Sequence, residues 1–255
     1  DVLRAKKYQL RGLRKLVQKS NWVTCTQGSR FEKDIVTLLD IPKEKLYNLP
    51  IGIASIDEIL SRPFITDEQA KRVWGFEGKY VIVIGYNGSP AHNHIKVIKS
   101  LVFMKKQLPT NTILVCPMTY GGNPVYRKKI KRLLWNSQFE NQILENYLTA
   151  EELVCLRKAT DLFIHAQNTD ANSGTIAEYL LCRKKIVNPT WITYPHYETY
   201  GSPFYSFSNF EELPQAIMKA INDTSNKVSP LLTGNISESG WSKLACKWVE
   251  LYKKY

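Results

Sequence analysis

The chain has 255 residues, 29.4 kDa, 44% hydrophobic content and 35 Lys or Arg against 23 Asp or Glu, a formal charge of +12. Its longest apolar runs, such as Tyr80 to Gly85, are strand-sized and far short of the roughly 20 residues a membrane-spanning helix needs, which excludes a helical transmembrane protein. A positive excess of this size favours anionic partners: nucleotide diphosphates, an acidic lipid surface or nucleic acid.

The first twenty residues carry seven Lys/Arg against one Asp and no uninterrupted apolar region, so they are not a secretory signal. The chain opens at Asp1 rather than Met, as expected of a start inside a larger protein. Leu3, Leu10, Leu13, Leu16 and Val17 recur at helical intervals among basic residues, which predicts a basic amphipathic helix over 3–19. A short strand over 21–26 follows, then a helix over 30–39 with Ser29 as its cap, then a brief strand over 45–49. Beyond Pro50 and Gly52 the stretch to the turn at 75–79 reads as irregular.

From Lys79 the pattern changes to alternating strand and helix. Strands are predicted over 80–85, 112–117, 141–146, 161–164 and 185–187, with helices over 94–107, 124–136, 150–158 and 174–182 between them. Apolar strands joined by helices imply an α/β fold, a Rossmann-like parallel sheet with helices on both faces. Trp241, Leu244, Ala245, Trp248, Leu251 and Tyr252 then predict a closing helix over 241–255. The expected division is 1–53 as the end of an incomplete N-terminal domain, 54–78 as a linker and 79–240 as a C-terminal domain, before that closing helix.

Ligands of open α/β sheets bind beyond the carboxyl ends of the strands, so the residues directly after each strand carry the most information. After 80–84 come Gly85, Asn87, Gly88, Ser89, His92, Asn93 and His94, a glycine-bearing turn that feeds a helix N-terminus and suits an anion or a purely structural turn. After 112–115 come Tyr120, Gly121 and Gly122, then the basic run Arg127 to Arg132, which reads as a solvated helix face. Thr149 and Glu152 form a capping-box pattern. The most specific loop runs from Asp161 to Leu181. A strand ends at His165, Asp170 and Asn172 follow, Ser173, Gly174 and Thr175 open a helix, and Glu178 sits one turn in. Amides of Ser173, Gly174 and Thr175 suit a pyrophosphate, Glu178 suits paired ribose hydroxyls at a cleft, and Asp170 suits a position facing the sugar.

The stretch DLFIHAQNTDANSGTIAEYLLCRKKIV, with an acidic residue, seven others and a Glu on the following helix, resembles the donor-site segment of GT-B glycosyltransferases. Asp170 stands where most retaining members carry Glu. The stretch WVTCTQGSRFEKDIVTLLDIPKEKLYNLPIGI resembles the end of that family's N-terminal domain, and WSKLACKWVELYKKY its closing helix. IGYNGSPAHNH and CPMTYGGNPVY are similar to loops of bacterial transferases that add 4-acetamido-4,6-dideoxygalactose to lipid-linked saccharides. The resemblance implies a nucleotide-sugar donor on the C-terminal domain, with Asp170 as the catalytic residue, and an acceptor mainly on the N-terminal one. It implies no cofactor and no bound metal, the sequence having no Asp-x-Asp. The family's basic ligand for the diphosphate is not at its usual place, and His92, Asn93, His94 or Lys96 would substitute.

Two readings follow: a glycosyltransferase acting on a saccharide or lipid-linked saccharide in cell-surface glycan synthesis, or a nucleotide-sugar-binding module without turnover. Nucleic acid is not an expected partner, since the aromatics lie at core spacing and no RNA or DNA motif occurs. The basic helix over 3–19 instead suits an anionic membrane face. Cys25, Cys116, Cys155, Cys182 and Cys246 have neither metal-ligand spacing nor a disulfide framework and read as buried reduced thiols. The expected location is cytoplasmic, on or near the inner face of a membrane.

Overall fold

The structure, a computed structural model, describes residues 7–25, 32–170 and 172–254. The expected cap at Ser29, the first residues of both N-terminal helices and Tyr255 lie outside them. The chain divides into two compact units, 55–237 and the pair of segments 1–54 and 238–255.

In the smaller unit, α1 (Lys7–Lys19) packs against α2 (Glu32–Leu39), and β1 (Val23–Cys25) pairs in parallel with β2 (Leu46–Asn48). The core is small: Val17, Leu39 and Ile41, with Leu10, Leu13 and Ile35 around them. Leu10, Leu13 and Val17 of the basic helix are therefore spent on its own unit, while Leu16 stays exposed. The closing helix, α12 (Trp241–Lys254), belongs here because Trp248 Nε1 donates to Pro50 O at 2.9 Å and Trp241 lies against Gly52. A Cβ at position 52 would stand 2.5 Å from the Trp241 indole and 2.8 Å from its Cα, so only glycine fits there.

The larger unit holds β3 (Tyr80–Ile84), β4 (Thr112–Pro117), β5 (Glu140–Leu144), β6 (Leu162–Ile164), β7 (Lys185–Pro189) and β8 (Phe204–Phe207) in one parallel sheet of order β5-β4-β3-β6-β7-β8. The register pairs Ile82 with Leu114 on one side and with Leu162 on the other. Val81 to Ile84 and Leu162 to Ile164 are fully buried, as strands covered on both faces must be. One covering layer is α5 (His94–Phe103), α6 (Pro124–Asn136) and α10 (Leu213–Asn222), whose Val97, Ile98, Leu101, Ile130, Leu134, Leu213 and Ile217 share a core with the sheet. On the other are α4 (Asp67–Trp74), α7 (Ala150–Ala159) and α8 (Gly174–Leu181).

The stretch read as a linker is instead folded. Its residues form α3 (Ala54–Leu60) and α4, with Ile56, Ile59, Ala70 and Phe76 buried, and α4 lies on α7. A capping box of Thr66 and Gln69 starts α4 and Gly75 ends it at φ 69°. Lys71 Nζ reaches Asp161 Oδ2 at 2.7 Å, and that carboxylate also accepts from Val81 N, which ties α4 to the sheet. The sixth strand and α9 (Pro195–Glu198), α10 and α11 (Pro230–Ser237) likewise go beyond the predicted elements. Of the cysteines, Cys25, Cys116 and Cys155 are buried, Cys182 is partly covered and Cys246 is exposed.

Candidate donor site at the switch point

Strand order reverses between β3 and β6, and the loops that leave their carboxyl ends meet there. Hydrogen bonds stitch the two loops together. Asn93 Nδ2 donates to Ala166 O at 2.8 Å and to Asn168 Oδ1 at 2.7 Å, and Asn168 N donates to Ala91 O at 2.9 Å.

The glycines of the first loop are used for close approach. Gly85 has φ 64°, and a Cβ there would lie 2.9 Å from His94 Nε2. Gly88 N donates to Tyr120 O at 2.7 Å, and a Cβ on Gly88 would meet Gly121 O at the same distance. Asn87 Oδ1 accepts from Ser89 N at 2.8 Å, an Asx turn. Beside this junction the exposed Tyr120 stacks on Tyr147, with centroids 6.1 Å apart and planes 5° from parallel. Gly88, Tyr120 and Gly121 thus lock the β3 loop to the β4 loop.

Three of the four histidines gather around Gly85. His92 and His94 are buried with centroids 5.6 Å apart, and His165, directly after β6, lies 6.5 Å from His92. Neither ring nitrogen of His92 has a hydrogen-bond partner among the described residues. His94 Nδ1 lies 3.2 Å from Tyr126 Oη, and its Nε2 has none. Burial pulls the His92 pKa down to about 3, aided by His94 and His165, and burial pulls that of His94 down to about 4. Both rings are neutral at pH 7, so they present hydrogen-bonding groups rather than positive charge.

His165 Nδ1 meets Asn188 Oδ1 at 2.9 Å, and its Nε2 lies 3.3 Å from Asp170 Oδ2 and 3.4 Å from Gln167 Oε1. Tyr86 Oη donates to Gln167 Oε1 at 2.8 Å, and Trp191 Nε1 donates to Gln167 O at 3.0 Å. Burial and then the Asp170 carboxylate raise the pKa values of Tyr86, to about 12, and of Tyr194. Asp170 thus lies against His165 and acts electrostatically on Tyr86 and Tyr194.

Asn172 precedes the cap of α8 and is exposed. Ser173 caps the helix, its hydroxyl accepting from Ile176 N at 3.4 Å, which puts Gly174 and Thr175 in the first turn. First-turn amides have no acceptor within their own helix. Glu178 is not open at a cleft as expected. It is 6% exposed, with one oxygen bonded to Ser55 Oγ and the other 2.7 Å from Arg157 Nε. Arg157 also donates to Tyr179 Oη at 3.1 Å and lies over that ring. Sequence reasoning missed Arg157 and Ser55, which are remote from Glu178 in the chain, and His165, whose place directly after a strand was the available signal. Among the described residues no group of three His, Cys, Asp or Glu is arranged to hold a metal ion.

No family model matches the chain, and no curated protein matches it. Solved structures do. A glycosyltransferase from Rickettsia africae is 16% identical with a TM-score of 0.74, over 98% of this chain and 67% of its own. Anabaena HepE in complex with UDP-glucose is 15% identical with a TM-score of 0.74, over 100% of this chain and 70% of its own. Sucrose-phosphate synthase from Thermosynechococcus elongatus is 15% identical with a TM-score of 0.67, over 100% and 63%. The chain thus has the fold of GT-B glycosyltransferases and spans about two thirds of the length of these neighbours.

Proposed function

We propose that the chain is the donor-binding part of a glycosyltransferase that uses a nucleotide-diphosphate sugar. The observation that carries this reading is the convergence, at the switch point of a doubly wound sheet, of the β3 and β6 loops with the first turn of α8 and with Asp170. The diphosphate lies at the amides of Ser173, Gly174 and Thr175, as anions do at helix N-termini. Glu178 takes the ribose when the hydroxyls displace Ser55, whose own hydroxyl donates to one Glu178 oxygen. In the transfer the bond from the sugar anomeric carbon to the diphosphate oxygen breaks, its electron pair leaving with the diphosphate. An acceptor oxygen bonds to that carbon and gives up its proton, which passes to the departing diphosphate or to solvent. Asp170, held by His165, faces the sugar and steadies the positive charge that develops on it.

The acceptor is a saccharide or lipid-linked saccharide of a cell-surface glycan, and the sugar is of the 4-acetamido-4,6-dideoxygalactose class. Both rest on the resemblance of 84–94 and 116–126 to transferase loops. The protein works in the cytoplasm, at the inner face of a membrane, without a metal or cofactor. HepE crystallised with UDP-glucose supports the donor class. The test is a thermal-shift screen with UDP-, GDP-, dTDP- and CMP-sugars, in which a ligand at 100 times its dissociation constant adds about 2.7 kcal/mol. No shift with any of them removes the donor site. A module that binds nucleotide-sugar without turnover is favoured by the engagement of both Glu178 oxygens. It is distinguished by nucleotide-sugar binding without sugar transfer.

A further inference from the structure

We infer that the solvent face of α5 and α6 is a docking surface for an anionic lipid bilayer. Between Glu77 and Glu140 the chain carries ten Lys or Arg and not one Asp or Glu, so much of the positive excess sits in one stretch. That stretch folds into β3, α5, β4 and α6, which brings its charge to one side of the sheet. On α6, Val125, Lys128, Lys129, Arg132 and Trp135 recur at three- and four-residue intervals and share one exposed stripe. Lys96, Lys99 and Phe103 do the same on α5.

Exposed apolar side chains punctuate this cationic face. Trp135 is 85% exposed, Phe103 84% and Val125 78%, and Val102 adds to them. The ends of the two helices are tied together, since Lys105 Nζ donates to Ser137 O at 3.3 Å and to Gln138 O at 2.6 Å, so Phe103 and Trp135 belong to adjacent helix ends. A hollow of about 430 Å³ lined by Gly122, Pro124, Arg127, Lys128, Lys131 and Glu145 opens at the other end of α6.

Charge complementarity selects a negative partner, and aromatic side chains standing out among lysines select a bilayer. Trp settles at the headgroup level, and lysine stems lie along apolar surface while their ammonium groups reach phosphate. By contrast, the basic helix α1 commits Leu10, Leu13 and Val17 to its own core and leaves Tyr8 and Leu16 as its exposed large hydrophobics. The membrane face is therefore carried by α5 and α6. The inference names the surface for the membrane-side acceptor of the proposed function, and its test requires no nucleotide.

The experiment is co-sedimentation of the whole chain with phosphatidylcholine vesicles with and without phosphatidylglycerol. Binding is expected only with the anionic lipid and is expected to weaken as salt shortens the screening length from about 10 Å at 0.1 M to about 3 Å at 1 M. A cation near the surface is worth roughly fivefold in affinity, so Lys99→Glu with Lys128→Glu and Arg132→Glu should weaken binding about a hundredfold or more. Phe103→Ser with Trp135→Ser should weaken it while keeping the salt dependence. All five positions are exposed, and an unchanged melting temperature confirms folding. Arg11→Glu with Lys15→Glu on α1 should change binding less than the α5–α6 reversal. Equal binding to neutral vesicles, an unaffected reversal variant, loss confined to the α1 variant, or tighter capture by an oligonucleotide than by vesicles at the same salt overturns the inference. Nucleotide-sugar binding of the same variants, expected to be unchanged, reports on the donor site separately, so the two readings fail independently.

Discussion

His165 Nε2 lies 3.3 Å from Asp170 Oδ2, with the imidazole fully buried and the carboxylate nearly so. The ring is set by Asn188, whose Nδ2 donates to Ile192 O at 2.8 Å and to Pro189 O at 3.0 Å, leaving Oδ1 to accept from His165 Nδ1. With that proton on Nδ1, the contact with Asp170 is an ion pair only when Nε2 carries a second one. His165→Leu removes the polar ring that faces the carboxylate. Sugar transfer should slow by about 10- to 100-fold, the worth of a hydrogen bond to a charged group, while donor affinity stays near its starting value. His165→Gln, which keeps a donor, should recover part of the rate. Equal losses in kcat and in nucleotide affinity would make His165 a general structural residue instead.

Ser55 and Arg157 divide the two oxygens of Glu178 between them, and the two contacts predict opposite outcomes. Arg157→Ala strands a buried carboxylate and should cost about 3 to 5 kcal/mol of stability in urea unfolding. Ser55→Ala removes the group a ribose must displace. It should tighten nucleotide binding by about 0.5 to 1.5 kcal/mol in calorimetry, the net worth of one hydrogen bond. Weaker nucleotide binding in Ser55→Ala would assign Ser55 to the ligand's side of the site and Glu178 to a purely structural pair.

The pKa values of His92 and His94, lowered to about 3 and about 4, fix a pH dependence. Unfolded histidine titrates near 6.5, so below that pH the unfolded chain binds protons that the folded one refuses. Their contribution is complete above about pH 6.5 and is lost as the pH falls, by up to about 1.4 kcal/mol per pH unit for each ring. Carboxylates with lowered pKa values, such as Asp223 at about 2, act in a more acidic window and leave the interval from pH 6.5 to 5 to the histidines. His92→Leu should reduce the slope there and leave neutral-pH stability equal or higher, because it removes two buried nitrogens that have no partner among the described residues. An unchanged slope in urea unfolding at both ends of the interval would contradict this origin.

What was readable in the sequence depended on whether a residue's role is local. The strands from Tyr80 to Ile84 and from Thr112 to Pro117 are continuous apolar runs, because parallel strands are buried on both faces, and their pattern needs no distant partner. Ser173 and Gly174 announce the start of α8 in the same local way. Glu178 shows the limit. Its position on the helix follows from spacing, but its burial depends on Arg157 and Ser55, which only the folded chain brings to it. Gly88 reads equally well as an anion cradle or a turn, and the choice is made by Gly121 on another loop. Helix α4 was legible and missed: Thr66 and Gln69 form its capping box and Gly75 its end, but a run of charged residues around one buried Ala70 gave too little apolar periodicity to mark it.

Gly174 opens α8 directly after its cap, where the first-turn amides are assigned to the diphosphate. Ser173 already satisfies Ile176 N, so the amides left for an anion are those nearest Gly174, and an anion drawn to them would be crowded by a branched side chain at that position. Gly174→Val should therefore weaken binding of a nucleoside diphosphate more than of the monophosphate, whose single phosphate need not approach the helix as closely. Val is tolerated at a first-turn helical position, so the melting temperature of the free protein should change little. Calorimetry with the two nucleotides and a melting curve decide the matter together. An equal loss for both ligands with a lowered melting temperature points to misfolding, whereas an equal loss with the melting temperature unchanged moves the diphosphate away from α8.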